Sequence, residues 1–299
     1  MINRNCPICG SSAGKSVIKS KNNAENLSFA ELSKNFVGLR ADQTFFEYKR
    51  CAKCNLCFAP RYFSADELEL VYKNMPPNLV GDEQKIVEKT HEGYVKHIKK
   101  NLSSANSLIE LGADLGLVTG PVVKHFKINN GILIEPNLDV RADLVNSVEN
   151  KSGFEVVNYL NEAKSDQKFD LFIGVHVIDH LLEPLKDLNL IQNKMTSGGK
   201  LFIVVHNQKS LLAKIMRSKW PPYCLQHPQI FDKKSIKNLL INSGFTNVSI
   251  NRTVNWIGLR NSLISLLGLL KIPNEFLKLL PNVSLPIIFG NIIISAEVK

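Results

Sequence analysis

The chain has 299 residues, a hydrophobic content of 44% and a formal net charge of +10 at pH 7. This length and composition predict one large globular α/β domain with a smaller attachment, and they exclude a chain too polar to fill a core. The N-terminus leads straight into a cysteine pair without the apolar stretch of a secretory signal. We therefore expect a cytoplasmic protein.

The positive charge is concentrated in the last third of the chain. Residues 209–299 carry 12 basic and 3 acidic side chains, a balance of +9, whereas residues 101–208 carry 9 and 13, a balance of −4. This distribution favours a phosphorylated or acidic ligand, or an anionic surface, next to that part of the chain. A solvated basic face is equally consistent with it.

Two C-x-x-C pairs in the first 60 residues have the spacing of a four-thiolate zinc site. The predicted zinc ligands are Cys6, Cys9, Cys51 and Cys54. Because all four positions are then filled by protein, such a zinc ion is structural rather than catalytic. Cys57 is predicted to begin the next apolar strand. A disulfide framework is the alternative, and a cytoplasmic location disfavours it.

From residue 107 onward, predicted strands and helices alternate, which indicates a parallel sheet. A strand over 107–112 contains Glu110, and the next strand, over 131–135, ends in Glu135. Ligands of open α/β sheets bind beyond the carboxyl ends of the strands, where an acid on the second strand can bind two ribose hydroxyls. Glu135 therefore predicts a cofactor that contains adenosine, but it does not show which such cofactor binds.

The loop after the first of these strands distinguishes the cofactors. Dinucleotide binding needs G-x-G-x-x-G, so that backbone amides can approach a pyrophosphate, whereas this loop carries Glu110 and Asp114. Two carboxylates repel a pyrophosphate but suit the sulfonium and amino group of S-adenosylmethionine (SAM). The predicted SAM-binding residues are Glu110, Gly112, Ala113, Asp114, Gly116, Glu135, Asn158 and His176.

On these motifs the chain resembles the class I SAM-dependent methyltransferases with an N-terminal zinc segment. That group includes sugar C-methyltransferases and enzymes of surface-polysaccharide clusters. Its first motif, acid-x-Gly-x-Gly-x-Gly, is matched at Glu110, Gly112 and Gly116, with Asp114 in place of the middle glycine.

The resemblance continues through the second half of the chain. Residues 168–181 resemble the group's fourth strand and Leu-Glu-His stretch, with Asp179 where glutamate is usual. Residues 194–200 resemble its Pro-Gly-Gly turn, with serine in place of proline. The group's Trp…His…Phe pattern is matched by Trp220, His227 and Phe231.

The resemblance implies an α/β fold, a Rossmann-like seven-stranded SAM methyltransferase domain preceded by a small zinc-knuckle segment. It divides the chain into a zinc-binding segment over 1–60, a helical connector over 61–100 and the methyltransferase domain over 101–299. Within this domain we predict an apolar helical insertion over about 256–280.

The apolar insertion is too short to cross a membrane. Only 10 residues separate Arg260 from Lys271, whereas a bilayer needs about 20. The insertion is predicted to pack over the domain, to form a dimer contact or to lie in a membrane surface. The last of these would place the protein peripherally at the inner membrane surface.

Two histidines are the predicted catalytic residues. Methyl transfer needs a base only if the acceptor is a hydroxyl or a carbon acid, and histidine titrates near neutral pH. His180 follows the fourth strand at its ligand-binding edge, and His227 lies in a proline-rich loop that can reach over the pocket. Purely structural roles for both histidines remain open.

The predicted function is methyl transfer from SAM to a small molecule, with a sugar or nucleotide sugar as the implied acceptor and C- and O-methylation both open. The alternative is a non-catalytic methyltransferase-fold protein that binds or scaffolds. A nucleic-acid substrate is disfavoured, because the sequence has neither an N/D-P-P-Y/F motif nor a basic stripe interleaved with aromatic residues. The oligomeric state stays open.

Overall fold

The computed structural model describes residues 1–36, 44–73, 82–148, 151–164, 166–269, 273, 277, 279, 281–288 and 290–299. Its strands are β1 (Ile2–Asn3), β2 (Gly14–Ile18), β3 (Asn22–Asn23), β4 (Thr44–Phe45), β5 (Tyr48–Cys51), β6 (Cys57–Phe58), β7 (Arg61–Tyr62), β8 (Ser107–Leu111), β9 (Asn130–Ile134), β10 (Phe154–Val157), β11 (Phe169–Val175), β12 (Met195–His206), β13 (Gln229–Ile230), β14 (Phe245–Arg252), β15 (Asn255–Gly258), β16 (Ser284–Ile287) and β17 (Asn291–Val298). Its α-helices are α1 (Phe29–Asn35), α2 (Ala65–Lys73), α3 (Asp82–Asn101), α4 (Thr119–Phe126), α5 (Arg141–Asn146), α6 (Pro184–Asn193), α7 (Leu211–Met216), α8 (Lys233–Asn242) and α9 (Leu259–Leu269).

A seven-stranded sheet forms the centre of the fold, with the strand order β10-β9-β8-β11-β12-β17-β14. The pairs from β10 to β12 are parallel, and β17 runs antiparallel to both β12 and β14. The predicted α/β fold with a Rossmann-like seven-stranded sheet is confirmed. The order places the carboxyl ends of β8, β9 and β11 side by side, at the edge where ligands of such sheets bind.

Both faces of the sheet are buried, as the continuous apolar runs of its strands require. Along β8, Ile109 packs in the core cluster that contains Leu188 of α6, whereas Leu108 packs with Val122 of α4 on the opposite face. Successive side chains of a strand point to opposite faces, so one apolar strand serves two helical layers. The sheet edge is thereby held rigidly from both sides.

The N-terminal segment is joined to the rest of the chain by a shared sheet. β2, β5 and β6 form a four-stranded sheet with β13, which lies far along the chain. Gln229 pairs with Phe58 and Ile230 with Cys57. The aromatic side chains of this segment form one core with Trp220 and the loop after it. The predicted division at residues 60 and 100 stays a prediction.

Two local predictions differ from the structure. The stretch predicted as a helical insertion begins as a strand, because β15 pairs with β16, and α9 starts only at Leu259. Residues 270–280 of that insertion lie outside the described residues except for 273, 277 and 279. The turn predicted over 194–200 lies within β12, where the pairing with β11 shifts register. In the described parts of the chain, no helix is long and apolar enough to span a bilayer.

Candidate functional site

A cavity of about 1230 Å³ opens at the carboxyl ends of β8, β9 and β11. Its loop end is formed by residues 110–115, 117, 118, 134–137 and 158–161. Its histidine end includes Tyr72, Tyr94, His176, His180, His206, Trp220 and His227. Six carboxylate residues line the cavity, namely Asp66, Glu69, Glu110, Asp114, Glu135 and Asp187, whereas Lys186 is its only lysine or arginine among the described residues. This lining favours a cationic ligand.

The backbone of the loop end turns sharply after β8. Gly112, Asp114 and Gly116 have φ values of +68°, +47° and +72°, in the left-handed region. A Cβ on Gly116 would lie 2.2 Å from the Oγ of Ser147, so this glycine is required by space as well as by conformation. Asp114 adopts the left-handed conformation that aspartate tolerates better than most residues. The loop therefore keeps its turn without the middle glycine of the family motif.

Glu135 connects the two loops that form this end of the cavity. Its Oε2 accepts a hydrogen bond from the backbone N–H of Asp114 (2.9 Å), and its Oε1 accepts one from the N–H of Asn137 (2.8 Å). Burial raises the pKa of this carboxyl, although both hydrogen bonds lower it. Asn158, after β10, is held by Arg141, whose Nη2 donates to the Asn158 Oδ1 at 2.5 Å and to the Glu135 carbonyl.

Glu110 lies beneath the loop and is only 2% exposed. Its Oε2 accepts a hydrogen bond from the hydroxyl of Thr119, the first residue of α4. Burial raises the pKa of Glu110 to about 8, against the lowering effect of that hydrogen bond. Ala113 is buried in the same loop. Of the predicted SAM-binding residues of this loop, Gly116 faces Ser147 and does not line the cavity. The others lie together at one end of it, namely Glu110, Gly112, Ala113 and Asp114.

The histidine end is built around one buried carboxylate, Asp179. Its Oδ2 accepts a hydrogen bond from the backbone N–H of His206 (3.2 Å), and its side chain is 0% exposed. His176 stacks on His206, with ring centroids 4.6 Å apart and an interplanar angle of 27°. The predicted catalytic residues His180 and His227 also adjoin Asp179, and the ligand atoms of the three residues lie within 4.8 Å of one another.

His180 and His227 contact each other directly. Their Nε2 atoms are 3.0 Å apart, and their rings are nearly perpendicular, at 82°. The Nδ1 of His180 lies 3.0 Å from the hydroxyl of Tyr72, and the Nδ1 of His227 lies 2.6 Å from the carbonyl of Pro222. The structure therefore brings together two histidines that are 47 residues apart in the chain.

Burial dominates the protonation of these imidazoles. It lowers the pKa of His180 to about 4 and that of His227 to about 3, and it lowers the pKa of His176 as well. Burial opposes ionisation of Asp179, but the surrounding imidazoles, His206 foremost, hold its pKa at about 2. Near neutral pH the cluster consequently contains a carboxylate among uncharged imidazoles of His176, His180 and His227.

The N-terminal segment holds the histidine end in place. The hydroxyl of Tyr48 donates to the carbonyl of His227 at 2.6 Å, and the N–H of Ala59 donates to the carbonyl of Pro228 at 2.8 Å. The Nε2 of Gln229 donates to the carbonyl of Leu181 (2.6 Å) and approaches those of the two residues before His180. The loops that carry the two histidines are thus held by residues of the N-terminal segment and by Gln229, which pairs with that segment.

The four predicted zinc ligands form one cluster. Their sulfurs lie within 4.8 Å of one another, with 3.3 Å between Cys6 and Cys54 and 3.5 Å between Cys9 and Cys51. All six cysteines are free thiols, so the structure contains no disulfide framework. Each C-x-x-C turn is followed by a left-handed residue, Gly10 (φ +69°) and Asn55 (φ +68°). A soft set of four sulfur donors fits zinc.

Sequence reasoning missed several members of the site. Asp179 was noted only as a departure from a family motif, and its central position was not predicted. His206 ends β12 at the ligand-binding edge, so strand-end position could have identified it. Tyr72 ends up beside His180 through the packing of α2, and no sequence signal indicates this contact. His176, which was predicted to bind SAM, lies in the histidine end, where its Nε2 is 3.3 Å from the hydroxyl of Tyr94.

Comparison with known proteins agrees with this geometry. An uncharacterised protein of Methanocaldococcus jannaschii is 24% identical over 177 residues, covering 58% of this chain and 78% of the relative. A chain from the complex between the Haloferax volcanii Trm112 methyltransferase activator and a methyltransferase superposes with a TM-score of 0.53, at 11% identity, covering 73% of this chain and 95% of that chain. The YcgJ protein of Bacillus subtilis superposes with a TM-score of 0.50, at 9% identity, covering 70% and 99%. Residues 86–250, more than half of the chain, match the family described as methyltransferase domain. The chain therefore belongs to the SAM-dependent methyltransferase family, whose fold and strand-end cavity it has.

Proposed function

We propose that this methyltransferase moves the methyl group of SAM onto a hydroxyl or an acidic carbon of a small molecule. The observation that carries the proposal is one continuous cavity with a carboxylate-lined loop end and a histidine end. A cationic cofactor suits the first end, and an acceptor that must lose a proton suits the second. Methyl transfer needs both in line at short distance.

The residues of the loop end fit SAM. When bound, SAM supplies a methyl group activated by a sulfonium. Glu135, already fixed by two backbone N–H groups, would bind the ribose hydroxyls at the end of β9. Gly112 lines the cavity and lets the backbone turn beside the cofactor, whereas Gly116 keeps that turn clear of Ser147. The carboxylates of Glu110 and Asp114 favour the positive charges of SAM.

The residues of the histidine end would orient the acceptor and receive its proton. As the bond between the methyl carbon and sulfur breaks, the new bond forms to the acceptor oxygen or carbon, and the acceptor proton has to leave. His180 and His227 are the polar groups we assign to this step. The buried walls around them, including Trp220, exclude water from the reacting atoms.

The acceptor class follows from the same lining. Tyr72, Tyr94, Trp220 and Trp256 offer aromatic faces of the kind on which the apolar face of a sugar ring packs. A sugar is therefore our proposed acceptor, with C- and O-methylation both open. A phosphate group would have to lie outside the cavity, since the described lining contains no lysine or arginine from residues 209–299.

We further propose that Cys6, Cys9, Cys51 and Cys54 bind a structural zinc ion. The support is the convergence of four buried or half-buried cysteines, two of which belong to the turn between β5 and β6. Through the pairing of β6 with β13, this site would stabilise the loop that carries His227. Peripheral membrane contact, the absence of a nucleic-acid substrate and a cytoplasmic location stay predictions.

Calorimetric titration with SAM and its demethylated product tests the cofactor assignment. We expect micromolar binding that Glu135→Ala weakens about 100-fold, because hydrogen bonds from hydroxyls to a carboxylate contribute about 1.5–3 kcal/mol each. Asp139→Ala is the matched control, since it removes an exposed carboxylate from the adjacent turn. Failure of the wild-type chain to bind either ligand would refute the proposal and leave the non-catalytic alternative.

A further inference from the structure

One oxygen of Asp179 has no hydrogen-bond partner among the described residues. Its Oδ2 accepts from the His206 N–H, whereas Oδ1 is fully buried and unsatisfied. The whole side chain is 0% exposed. Buried carboxylates in proteins are paired with a cation or bound to a metal, because an isolated buried charge is very costly. Among the described residues, histidines surround Asp179, and no lysine or arginine forms an ion pair with its carboxylate.

A second arrangement beside it depends on which nitrogen of His180 carries the proton, because His180 protonated at Nε2 donates a hydrogen bond to His227. Because a carbonyl only accepts, the Nδ1 of His227 must carry the proton that it shares with the Pro222 carbonyl. The Nε2 of uncharged His227 then carries a lone pair, and it lies 3.0 Å from the Nε2 of His180. The Tyr72 hydroxyl can donate to or accept from the opposite nitrogen of His180, so His180 is free to present a lone pair as well.

We propose that Asp179, His180 and His227 bind a divalent first-row transition-metal ion. Two imidazoles and one carboxylate form a donor set that holds such ions while leaving coordination positions open. With metal–nitrogen bonds of about 2.1 Å, two nitrogens 3.0 Å apart subtend an angle of about 90° at the metal, as adjacent ligands of an octahedron do. One ion would satisfy both ring nitrogens and the free Asp179 oxygen.

The other histidine pair is less suited to bind the ion. His176 and His206 also lie within 4.8 Å of Asp179, but their rings stack almost in parallel. Ring lone pairs lie in the ring plane, so the lone pairs of stacked imidazoles do not converge on one point. Asn291 also occupies one nitrogen of each, with its Nδ2 3.1 Å from His176 Nε2 and its Oδ1 2.9 Å from His206 Nδ1. These two rings form a wall of the site.

The consequence for catalysis rests on the proposed function. An ion at this position would face the cavity through its open coordination positions, where an acceptor oxygen could bind. A metal-bound hydroxyl would lose its proton more easily and pass it to water at the open side of the cavity, so the two histidines would act on the acceptor through the ion rather than take up the proton themselves. The acceptor class narrows to molecules with an oxygen donor at or next to the methylated atom.

Cobalt titration of the tag-free chain of residues 1–299 tests the site. After dialysis against a weak chelator, we expect one Co²⁺ per chain whose absorption lacks the thiolate-to-cobalt band of a cysteine site. Asp179→Asn and His227→Gln should each weaken this binding about 100-fold, since a ligand is lost. His180→Gln is a further variant at a half-buried position, in case Asp179→Asn fails to fold. His176→Gln is the matched control and should stay within about threefold of wild type.

Three outcomes would overturn the cation site. These are no cobalt bound outside the thiolate cluster, unchanged affinity in folded His180→Gln and His227→Gln, or loss of binding in His176→Gln alone. Circular dichroism and urea unfolding of each variant establish that it is folded. Cobalt binding without SAM binding would refute the proposed function only, and SAM binding without cobalt binding would refute the cation site only.

Discussion

Replacing Glu110 with glutamine tests whether the buried acid of the first loop recognises a positive charge. Burial raises the pKa of Glu110 to about 8, so about nine in ten molecules of the ligand-free protein carry it protonated at pH 7. A cationic ligand at the loop end favours the ionised form, and binding therefore releases a proton. If only the ionised form binds SAM tightly, wild-type affinity rises about 30-fold between pH 6.5 and pH 9.

The measurement is calorimetric SAM titration of wild type and Glu110→Gln across this pH range. The amino group of SAM titrates in both experiments, so the ratio of the two affinities isolates Glu110. The Thr119 hydroxyl lowers the Glu110 pKa, and Thr119→Val should accordingly move the midpoint of the ratio to higher pH. A ratio that is independent of pH, or a midpoint that Thr119→Val leaves in place, would refute this reasoning.

The same shift predicts the pH dependence of stability in the ligand-free protein. The folded pKa of Glu110 lies above its ordinary value of 4.5, so between pH 4.5 and about 8 the folded state holds a proton that the unfolded state has lost. Stability therefore falls as pH rises through this window, by about 5 kcal/mol in total. Glu110→Gln should not show this fall, and urea unfolding at pH 5 and pH 9 measures the difference.

Three further predictions concern the backbone of the loop, the thiolate cluster and the support of the histidine end. Gly116→Ala should lower the free energy of unfolding by at least about 2 kcal/mol more than Gly198→Ala, as measured by urea unfolding. Both glycines have positive φ, but only a Cβ on Gly116 would lie within 3 Å of a side chain. Equal losses of stability in the two variants would contradict this. Cys54→Ser should remove the zinc ion that we propose and, by loosening the His227 loop, reduce methyl transfer about tenfold or more. SAM affinity should stay within about threefold of wild type. Elemental analysis measures the zinc content, and a methyl-transfer assay and SAM titration measure the other two quantities. Gln229→Leu should lower turnover more than SAM affinity, because it frees three carbonyls around His180, and an unchanged turnover number would rule out this supporting role.

Local patterns were sufficient to predict the sheet and the loop end of the site. The apolar runs around Ile109 and Ile132 have the length and spacing of buried parallel strands, and their carboxyl ends must meet at one edge. Glu135 follows from strand position alone. The left-handed conformation of Asp114 could not be predicted in the same way, because the sequence shows only a departure from a glycine motif. The turn that aspartate keeps there is a property of the folded loop.

Only the tertiary structure assembled the histidine end. Asp179 follows β11, His206 ends β12, and His227 lies in the loop before β13. Tyr72 comes from a helix before the central sheet. Their convergence depends on the pairing of β12 with β11 and of β13 with β6, which join residues far apart in the chain. Sequence periodicity specifies which face of an element is buried, but not which distant element covers it. The sequence by itself therefore determined a methyltransferase fold and its cofactor end, and long-range packing decided what lies at the acceptor end.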